Sequence, residues 1–186
     1  MAPPRLYYMK ERSDGTMMGE MAGEGVERGL LSELYVAYAP DGIRLAFLLT
    51  GDRALAEDLV QDAFVKLVGR LRHLREPNAF WAYLRRTIVN LATSHFRHRR
   101  VERAYLERLA AAPVAVTNDN DELDEAMHRV LLGLPQRQRA AIVLRFYEDL
   151  SDVQTAAVLG CSAGTVRSLV SRGMKTLREG LEGMPR

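Results

Sequence analysis

The stretch Leu150–Met174, LSDVQTAAVLGCSAGTVRSLVSRGM, decides the fold class of the second half of the chain. Ser151 is a typical helix N-cap, and Gly160 permits the sharp turn that ends a short helix. Ser162 then caps a second, longer helix. Two helices joined by a glycine turn form a helix-turn-helix, a motif that lays its second helix in the major groove of DNA.

The second helix of this motif has a basic outer face. From residue 153 to residue 178 the chain has no acidic residue, so DNA phosphates would not repel this helix. Apolar residues at helical spacing hold the two helices together and leave a second set of residues able to face outwards. Together with the cap Ser162 and the next basic residue Lys175, the candidates for DNA contacts are Ser162, Ala163, Thr165, Arg167, Ser168, Ser171, Arg172 and Lys175. An ordinary helical hairpin with a basic face is the alternative.

The rest of the chain is also helical in pattern. Apolar residues recur three and four positions apart, and no useful alternation typical of a strand appears. The predicted helices cover residues 30–47 (interrupted at Pro40, Asp41 and Gly42), 52–71, 79–100, 123–132, 135–147, 150–160 and 162–181. We therefore predict an all-α protein built from two small helical bundles.

Composition divides the 186 residues into four parts. Residues 1–29 contain five glycines and little periodicity, which predicts a mobile tail. Residues 104–122 contain Pro113 and a run of Asn and Asp, which predicts a flexible acidic linker. The two bundles then occupy residues 30–103 and 123–183, each the size of a small domain.

The first bundle has an acid-free window of its own, residues 77–101. Arginines alternate there with aromatic residues, a combination that suits single-stranded nucleic acid because arginines hold the backbone while rings stack on bases. Aromatic residues at helical spacing are also ordinary core residues, so the arginines carry this prediction. The candidates are Trp81, Arg85, Arg86, Arg97, Arg99 and Arg100.

The helix predicted over residues 52–71 has an acidic face instead. Asp58 and Asp62 lie one helical turn apart beside Gln61, and like charges at that spacing cost helix stability unless a basic partner neutralises them. The residues alone are consistent with two interpretations, a solvated face and a surface that docks on another protein.

Several function classes are excluded. Cys161 is the only cysteine, and the four histidines lack metal-ligand spacing, so no metal site and no cofactor are expected. No catalytic constellation appears, and we expect no enzyme activity. No apolar run is long enough to span a bilayer, and the first residues do not form a signal peptide, so neither membrane insertion nor secretion is expected.

Three segments together resemble one family. LLTGDRALAEDLVQDAF (Leu48–Phe64), AFWAYLRRTIVNLATSHFRHRR (Ala79–Arg100) and the stretch Leu134–Gly173 are similar to the extracytoplasmic-function (ECF) sigma factors of the sigma-70 family, in particular to the SigE-like subgroup. The resemblance extends in order over residues 30–181, so it includes both bundles. It implies that the first bundle is sigma domain 2 and the second is sigma domain 4.

The resemblance implies a function and partners. A sigma factor directs core RNA polymerase to promoters, recognises their −10 and −35 elements and helps to melt the DNA. Asp58, Gln61 and Asp62 would dock on the clamp coiled coil of the β′ subunit, domain 4 would contact the β flap, and the acidic linker would pass through the active-site cleft. An anti-sigma factor is a further partner that the resemblance suggests, and the chain would act in the cytoplasm.

The resemblance also distributes the DNA contacts. The loop 71–78 would capture a flipped base of the −10 element, and residues 162–172 would read the −35 element. The residues assigned to the −10 region are His73, Asn78, Trp81, Arg85, Arg86, Asn90, Arg97, Arg99 and Arg100. The chain departs from the family at Thr155, where an isoleucine is usual, and this places a hydroxyl near the core.

Two other functions compete with this interpretation. The first is a helix-turn-helix regulator whose other bundle receives a signal, and binding to core polymerase would distinguish it. The second is an enzyme that acts on nucleic acid, which the absence of a catalytic constellation disfavours.

Overall fold

The computed structural model describes residues 19–68, 77–106 and 122–182 of the chain, with side chains over 29–67, 79–99 and 127–182. These ranges are mostly helical, and no strand occurs within them. The first bundle consists of α1 (Gly19–Thr50), α2 (Arg53–Val68) and α3 (Pro77–Leu106). The second bundle consists of α4 (Glu122–Gly133), α5 (Gln136–Ile142), a π-helical segment (Val143–Tyr147), α6 (Asp152–Leu159) and α7 (Ala163–Glu182). The all-α prediction is confirmed.

The core of the first bundle lies where its three helices meet. A sharp turn joins α1 to α2 through Gly51, whose φ of 75° suits a residue without a side chain. Asp52 caps α2, as predicted, because its Oδ1 accepts a hydrogen bond from the Leu55 N–H at 3.1 Å. The largest fully buried side chains of this core are Leu45, Leu67, Phe80, Leu84 and Ile88. The apolar stripes that the sequence predicts therefore do face inwards.

The first helix is longer than the sequence predicts. A helix start at residue 30 and a break at Pro40 are expected, but α1 begins at Gly19 and continues through Pro40. A proline inside a helix costs about 3 kcal/mol, which burial of side chains on both sides of it must outweigh. Gly42 contributes by close approach, since a Cβ there would lie 3.2 Å from Ile88 Cδ1 and 3.3 Å from Val60 Cγ2. The predicted break is wrong because tertiary packing overrides the local preference.

The helix-turn-helix forms as predicted. Ser151 and Gln154 form a capping box at the start of α6, and Gly160 ends this helix in the left-handed conformation. Ser162 Oγ accepts a hydrogen bond from the Thr165 N–H at 3.1 Å and so caps α7. Gly173 allows α7 to approach α5, because a Cβ there would come within 2.5 Å of Ile142 Cδ1.

Other helix bounds differ from the predicted ones. The expected single helix over 135–147 widens into the π-helical segment after Ile142, where the Glu148 N–H donates to the Val143 carbonyl oxygen. Asp149 follows with a φ of 50°, and the chain then enters α6. The third helix extends to Leu106 rather than ending at Arg100, and it begins at Pro77, so residues 77–78 are helical rather than part of a loop.

Thr155 is fully buried in α6, and its Oγ1 has no hydrogen-bond partner among the described residues. Replacing it with valine removes a desolvated hydroxyl, so the free energy of unfolding should rise by about 1 kcal/mol. Thr176→Val is the control, since that residue is exposed and its hydroxyl donates to the Arg172 carbonyl oxygen. Urea unfolding measures both variants, and a less stable Thr155→Val protein would contradict the prediction.

Candidate nucleic-acid interface

The outer face of α7 carries the side chains that the sequence predicts to read DNA. Val166, Leu169 and Leu177 are buried on the inner side of this helix. The exposed residues are Ser162, Arg167, Ser168, Ser171, Arg172 and Lys175, while Ala163 and Thr165 are half-buried. The exposed set lies on one side of a helix whose N-terminal half is free of acidic residues, which is the arrangement of a major-groove reading helix.

Some polar groups of α7 already have partners within the helix. Ser162 and Thr165 hydrogen-bond to each other through their hydroxyls at 2.9 Å, so both take part in the cap. Arg172 donates from Nε to the Ser168 carbonyl oxygen at 3.2 Å and from a terminal nitrogen to the Ser168 hydroxyl at 3.1 Å. Arg167 has no such partner among the described residues, so its guanidinium is the best placed of these for a base edge.

The candidate residues of α3 divide between two faces. The outer face carries two arginines, an asparagine and one aromatic ring. Successive members are three, four and seven positions apart, so they lie on one side of the helix. Its exposed members are Tyr83, Arg86, Asn90 and Arg97. Tyr83 is not among the residues assigned to the site from the sequence, although its position in the acid-free window 77–101 could have indicated it. Arg99 is also exposed, but lies nine positions beyond Asn90 and therefore off this line.

Trp81 and Arg85 lie on the inner face of α3, which faces the second bundle. The Trp81 indole N–H donates to Glu148 Oε2 at 3.2 Å, and Arg85 donates to the same oxygen at 2.9 Å. The Trp81 ring also stacks on Tyr38, with centroids 5.9 Å apart and planes within 14° of parallel. The predicted −10 residues are therefore not one surface in this structure.

Three assigned residues lie wholly or partly outside the described set. His73 lies outside the described residues, and so does most of the loop 71–78. The backbones of Asn78 and Arg100 lie in α3, but their side chains are outside the described set. The structural interpretation of the −10 region consequently depends on Trp81, Arg85 and the outer face of α3.

The acidic face of α2 is exposed as the docking hypothesis requires. Asp58, Gln61 and Asp62 all lie on the surface, and within the described side chains neither carboxylate forms an ion pair. Glu57, by contrast, forms an ion pair with Arg53, in which Arg53 Nε lies 3.1 Å from Glu57 Oε1. Val65 lies three residues after Asp62 on the same face, with 73% of its area exposed. This valine adds an exposed apolar side chain at one end of the face, which the sequence pattern did not indicate because Val65 lies off the apolar stripe.

Arg139 joins the two bundles. Its side chain is 8% exposed, and it donates to the carbonyl oxygens of Leu49 at 2.6 Å, Leu132 at 2.7 Å and Leu134 at 3.2 Å. Leu49 is near the end of α1 and Leu132 near the end of α4, so the cation lies beside two helix C-termini, where positive charge is favoured. Burial nevertheless lowers the pKa of this guanidinium below its ordinary value.

Two further side-chain contacts cross between the bundles. The Phe47 and His128 rings lie with centroids 4.5 Å apart, and burial lowers the pKa of His128, with the Arg139 charge acting in the same direction. Tyr147 forms a side-chain hydrogen bond with Arg44, although burial raises the pKa of this tyrosine overall. These contacts hold the second bundle against α1.

Two properties of the described residues bear on membrane insertion and metal binding. No helix there is long and apolar enough to cross a membrane. Within the same residues, no group of three or more histidine, cysteine, aspartate or glutamate side chains is arranged to hold a metal ion.

Both bundles match known family models. Residues 34–102 match Sigma-70 region 2, and residues 124–177 match Sigma-70, region 4. The two matches together include most of the chain in the expected order. A signal-receiving bundle attached to an unrelated helix-turn-helix is therefore not favoured.

Relatives and solved structures agree with these matches. RNA polymerase sigma-E factor from Streptomyces avermitilis is 37% identical over 151 residues, covering 81% of this chain and 84% of the relative. ECF RNA polymerase sigma factor SigE from Mycolicibacterium smegmatis is 31% identical over 174 residues, 89% of this chain and 66% of the relative. The sigma factor RpoE of Bartonella quintana, solved with the anti-sigma factor NepR, superposes with a TM-score of 0.67 at 27% identity, covering 83% of this chain and 98% of that one. The chain therefore belongs to the ECF sigma factors of the sigma-70 family, SigE type, which start transcription at specific promoters with RNA polymerase.

Proposed function

We propose that three surfaces of this sigma factor bind different parts of the transcription complex. The face of α2 formed by Asp58, Gln61 and Asp62 docks on the clamp coiled coil of the polymerase β′ subunit. The acid-free part of α3 contacts the −10 region of the promoter, and the outer face of α7 reads the −35 element. The second bundle also contacts the β flap, and the acidic linker over residues 104–122 passes through the active-site cleft.

The observation that carries this division is the difference in charge between the surfaces. The α2 face presents unpaired carboxylates next to an exposed valine, a combination that suits a basic protein surface with a neighbouring apolar part. The exposed faces of α3 and α7 present arginines within acid-free windows, which suits the DNA backbone and base edges. One chain thus offers one surface for the polymerase and two for DNA.

The two faces of α3 have different tasks in this proposal. Arg86, Asn90 and Arg97 follow one line on the outside and would contact the backbone and bases of the −10 region. Trp81 and Arg85 would contact the melted strand, since an indole ring stacks on bases and a guanidinium binds phosphate. The loop 71–78, with His73 and Asn78, would hold the flipped base.

The remaining assignments follow from the family. The polymerase carries out the chemistry, and the chain contributes no catalysis of its own. It acts in the cytoplasm, where the polymerase and the chromosome are located. The solved relative from Bartonella quintana is bound to an anti-sigma factor, which supports a regulator of that class as a further partner.

Substituting Arg167 separates base reading from backbone binding. Arg167→Ala should lose about 1–3 kcal/mol of discrimination between −35 sequences, because a bidentate contact with a base edge is removed. Lys175→Ala should weaken binding to all promoters alike and reduce its salt dependence, as expected for a phosphate contact. Competition binding of the polymerase holoenzyme to a library of −35 variants measures both effects. Identical selectivity profiles for the two variants would contradict the assignment of α7.

A further inference from the structure

Arg172, on the outer face of α7, is held by Ser168 one helical turn earlier. Its Nε donates to the Ser168 carbonyl oxygen at 3.2 Å, and its Nη2 donates to the Ser168 hydroxyl oxygen at 3.1 Å. We infer that Ser168 is a positioning residue: its two oxygen atoms hold the Arg172 guanidinium in the orientation that reads a guanine of the −35 element. The inference rests on the proposed function, which assigns the outer face of α7 to that element.

The two hydrogen bonds use one edge of the guanidinium and leave another edge free. Nε and Nη2 form the side edge of this planar group, and both donate to Ser168. The end edge consists of Nη1 and the second N–H of Nη2, and it has no partner among the described residues. A pair of parallel N–H donors on arginine is the group that binds O6 and N7 of guanine in the major groove. Arg172 can therefore bond to Ser168 and to a guanine at the same time.

The contact also directs the side chain toward the part of α7 that reaches the bases. Side chains of an α-helix lean toward its N-terminus, and a reading helix contacts base edges through its N-terminal residues. Arg172 lies near the middle of α7 (Ala163–Glu182), so bonding to residue 168 brings its guanidinium closer to that N-terminal part. A side chain that is held before DNA arrives also loses less conformational entropy on binding.

The charge of Arg172 stays available to DNA. Both of its hydrogen bonds go to uncharged oxygen atoms, and its guanidinium forms no ion pair within the described side chains. The carboxylate of Glu179 lies instead beside Lys175, with 3.8 Å between Oε1 and Nζ. Ser168 thus orients the arginine without neutralising it, whereas a glutamate one turn away would pair with its charge.

Arg167 is the natural comparison within the same helix. It is exposed, and its side chain has no hydrogen-bond partner among the residues that the structure describes. The two arginines are five positions apart, which is about 7.5 Å along the axis of an α-helix. They should therefore meet different base pairs, and the effects of substituting them should fall at different positions of the −35 element.

The test is a double-mutant cycle measured on the polymerase holoenzyme. Full-length wild type, Ser168→Ala, Arg172→Ala and the double variant are each assembled with core polymerase. Their binding is measured to a duplex library that is randomised over the −35 region of a promoter transcribed by the wild-type holoenzyme. Arg172→Ala should reduce the preference for guanine at one position by about tenfold or more. Ser168→Ala should reduce the same preference at the same position by about threefold, because the arginine is no longer held.

The double variant separates positioning from direct contact with DNA. A residue that acts only through Arg172 cannot affect selectivity once Arg172 is alanine, so adding Ser168→Ala should then leave the profile unchanged. Ser168→Thr keeps the hydroxyl and should keep the guanine preference. Thr176→Val is the matched control, since it removes an exposed hydroxyl that bonds to the Arg172 carbonyl oxygen and not to the guanidinium. Circular dichroism checks that all variants remain helical.

A loss of guanine preference in Ser168→Ala that disappears in the Arg172→Ala background supports the inference. A wild-type profile in Ser168→Ala would overturn it, and so would a preference for a base other than guanine at the affected position. A loss that persists without Arg172 would also overturn it, because Ser168 would then contact DNA itself. A wild-type profile in Arg172→Ala contradicts the inference alone if Arg167→Ala still changes selectivity. If Arg167→Ala also keeps the wild-type profile, the proposed assignment of α7 to the −35 element fails as well.

Discussion

Replacing Asp58 and Asp62 together by arginine is expected to weaken binding to core RNA polymerase by at least about 100-fold. Like charges facing each other across an interface cost several kcal/mol, and a 100-fold loss corresponds to about 2.7 kcal/mol. Both carboxylates are exposed, and neither is engaged by an ion pair in the described residues, so their loss should leave the first bundle folded. The effect is therefore expected on binding alone.

The measurement is an equilibrium titration of labelled sigma factor with core polymerase in the absence of DNA. Glu179→Arg with Glu182→Arg is the control, since it makes the same change in charge on exposed positions of α7. The control should keep affinity within about threefold of wild type, because surface substitutions away from a contact have small effects. Wild-type affinity in the Asp58 and Asp62 variant would show that α2 is not the docking surface.

Arg139→Ala is expected to produce the largest loss of stability. The substitution leaves the carbonyl oxygens of Leu49, Leu132 and Leu134 without their charged donor and removes a guanidinium that lies 5.6 Å above the centre of the Phe96 ring. Hydrogen bonds from charged donors contribute more than neutral ones, so we expect a loss of about 3 kcal/mol or more. Because Arg139 bonds to both bundles, urea unfolding of the variant should also separate into two transitions.

Arg137→Ala is the matched control in the same helix. Arg137 is exposed, so its removal should change stability by no more than about 0.5 kcal/mol. Unfolding is followed by far-ultraviolet circular dichroism and by Trp81 fluorescence, which report on all helices and on the interface respectively. Equal unfolding curves for the two variants would contradict the role assigned to Arg139.

Features fixed by neighbouring residues could be predicted from the sequence. Ser151 and Gly160 define the ends of α6 because capping and the left-handed conformation depend on residues only a few positions away. Asp52 fixes the start of α2 for the same reason. The acid-free windows likewise predicted the exposed basic side chains, since charged groups stay at the surface unless they are paired.

Features fixed by distant contacts could not be predicted in this way. Pro40 is a strong local signal for a break, yet the packing of α1 around Gly42 keeps the helix continuous. Arg85, which donates to Glu148, lies 63 positions from it, and Leu49, which accepts from Arg139, lies 90 positions away, each in the other bundle. Sequence periodicity carries no information about how two bundles meet, so the sequence alone does not separate Trp81 and Arg85 from Asn90 within the −10 region.

The most direct test of the central claim is transcription reconstituted from purified core polymerase, this chain and fragmented genomic DNA, with start sites mapped by sequencing. The account predicts discrete start sites preceded by shared −35 and −10 sequences, absent with core polymerase alone and lost with the Asp58 and Asp62 arginine variant. Start sites identical to those of core polymerase alone would contradict the account.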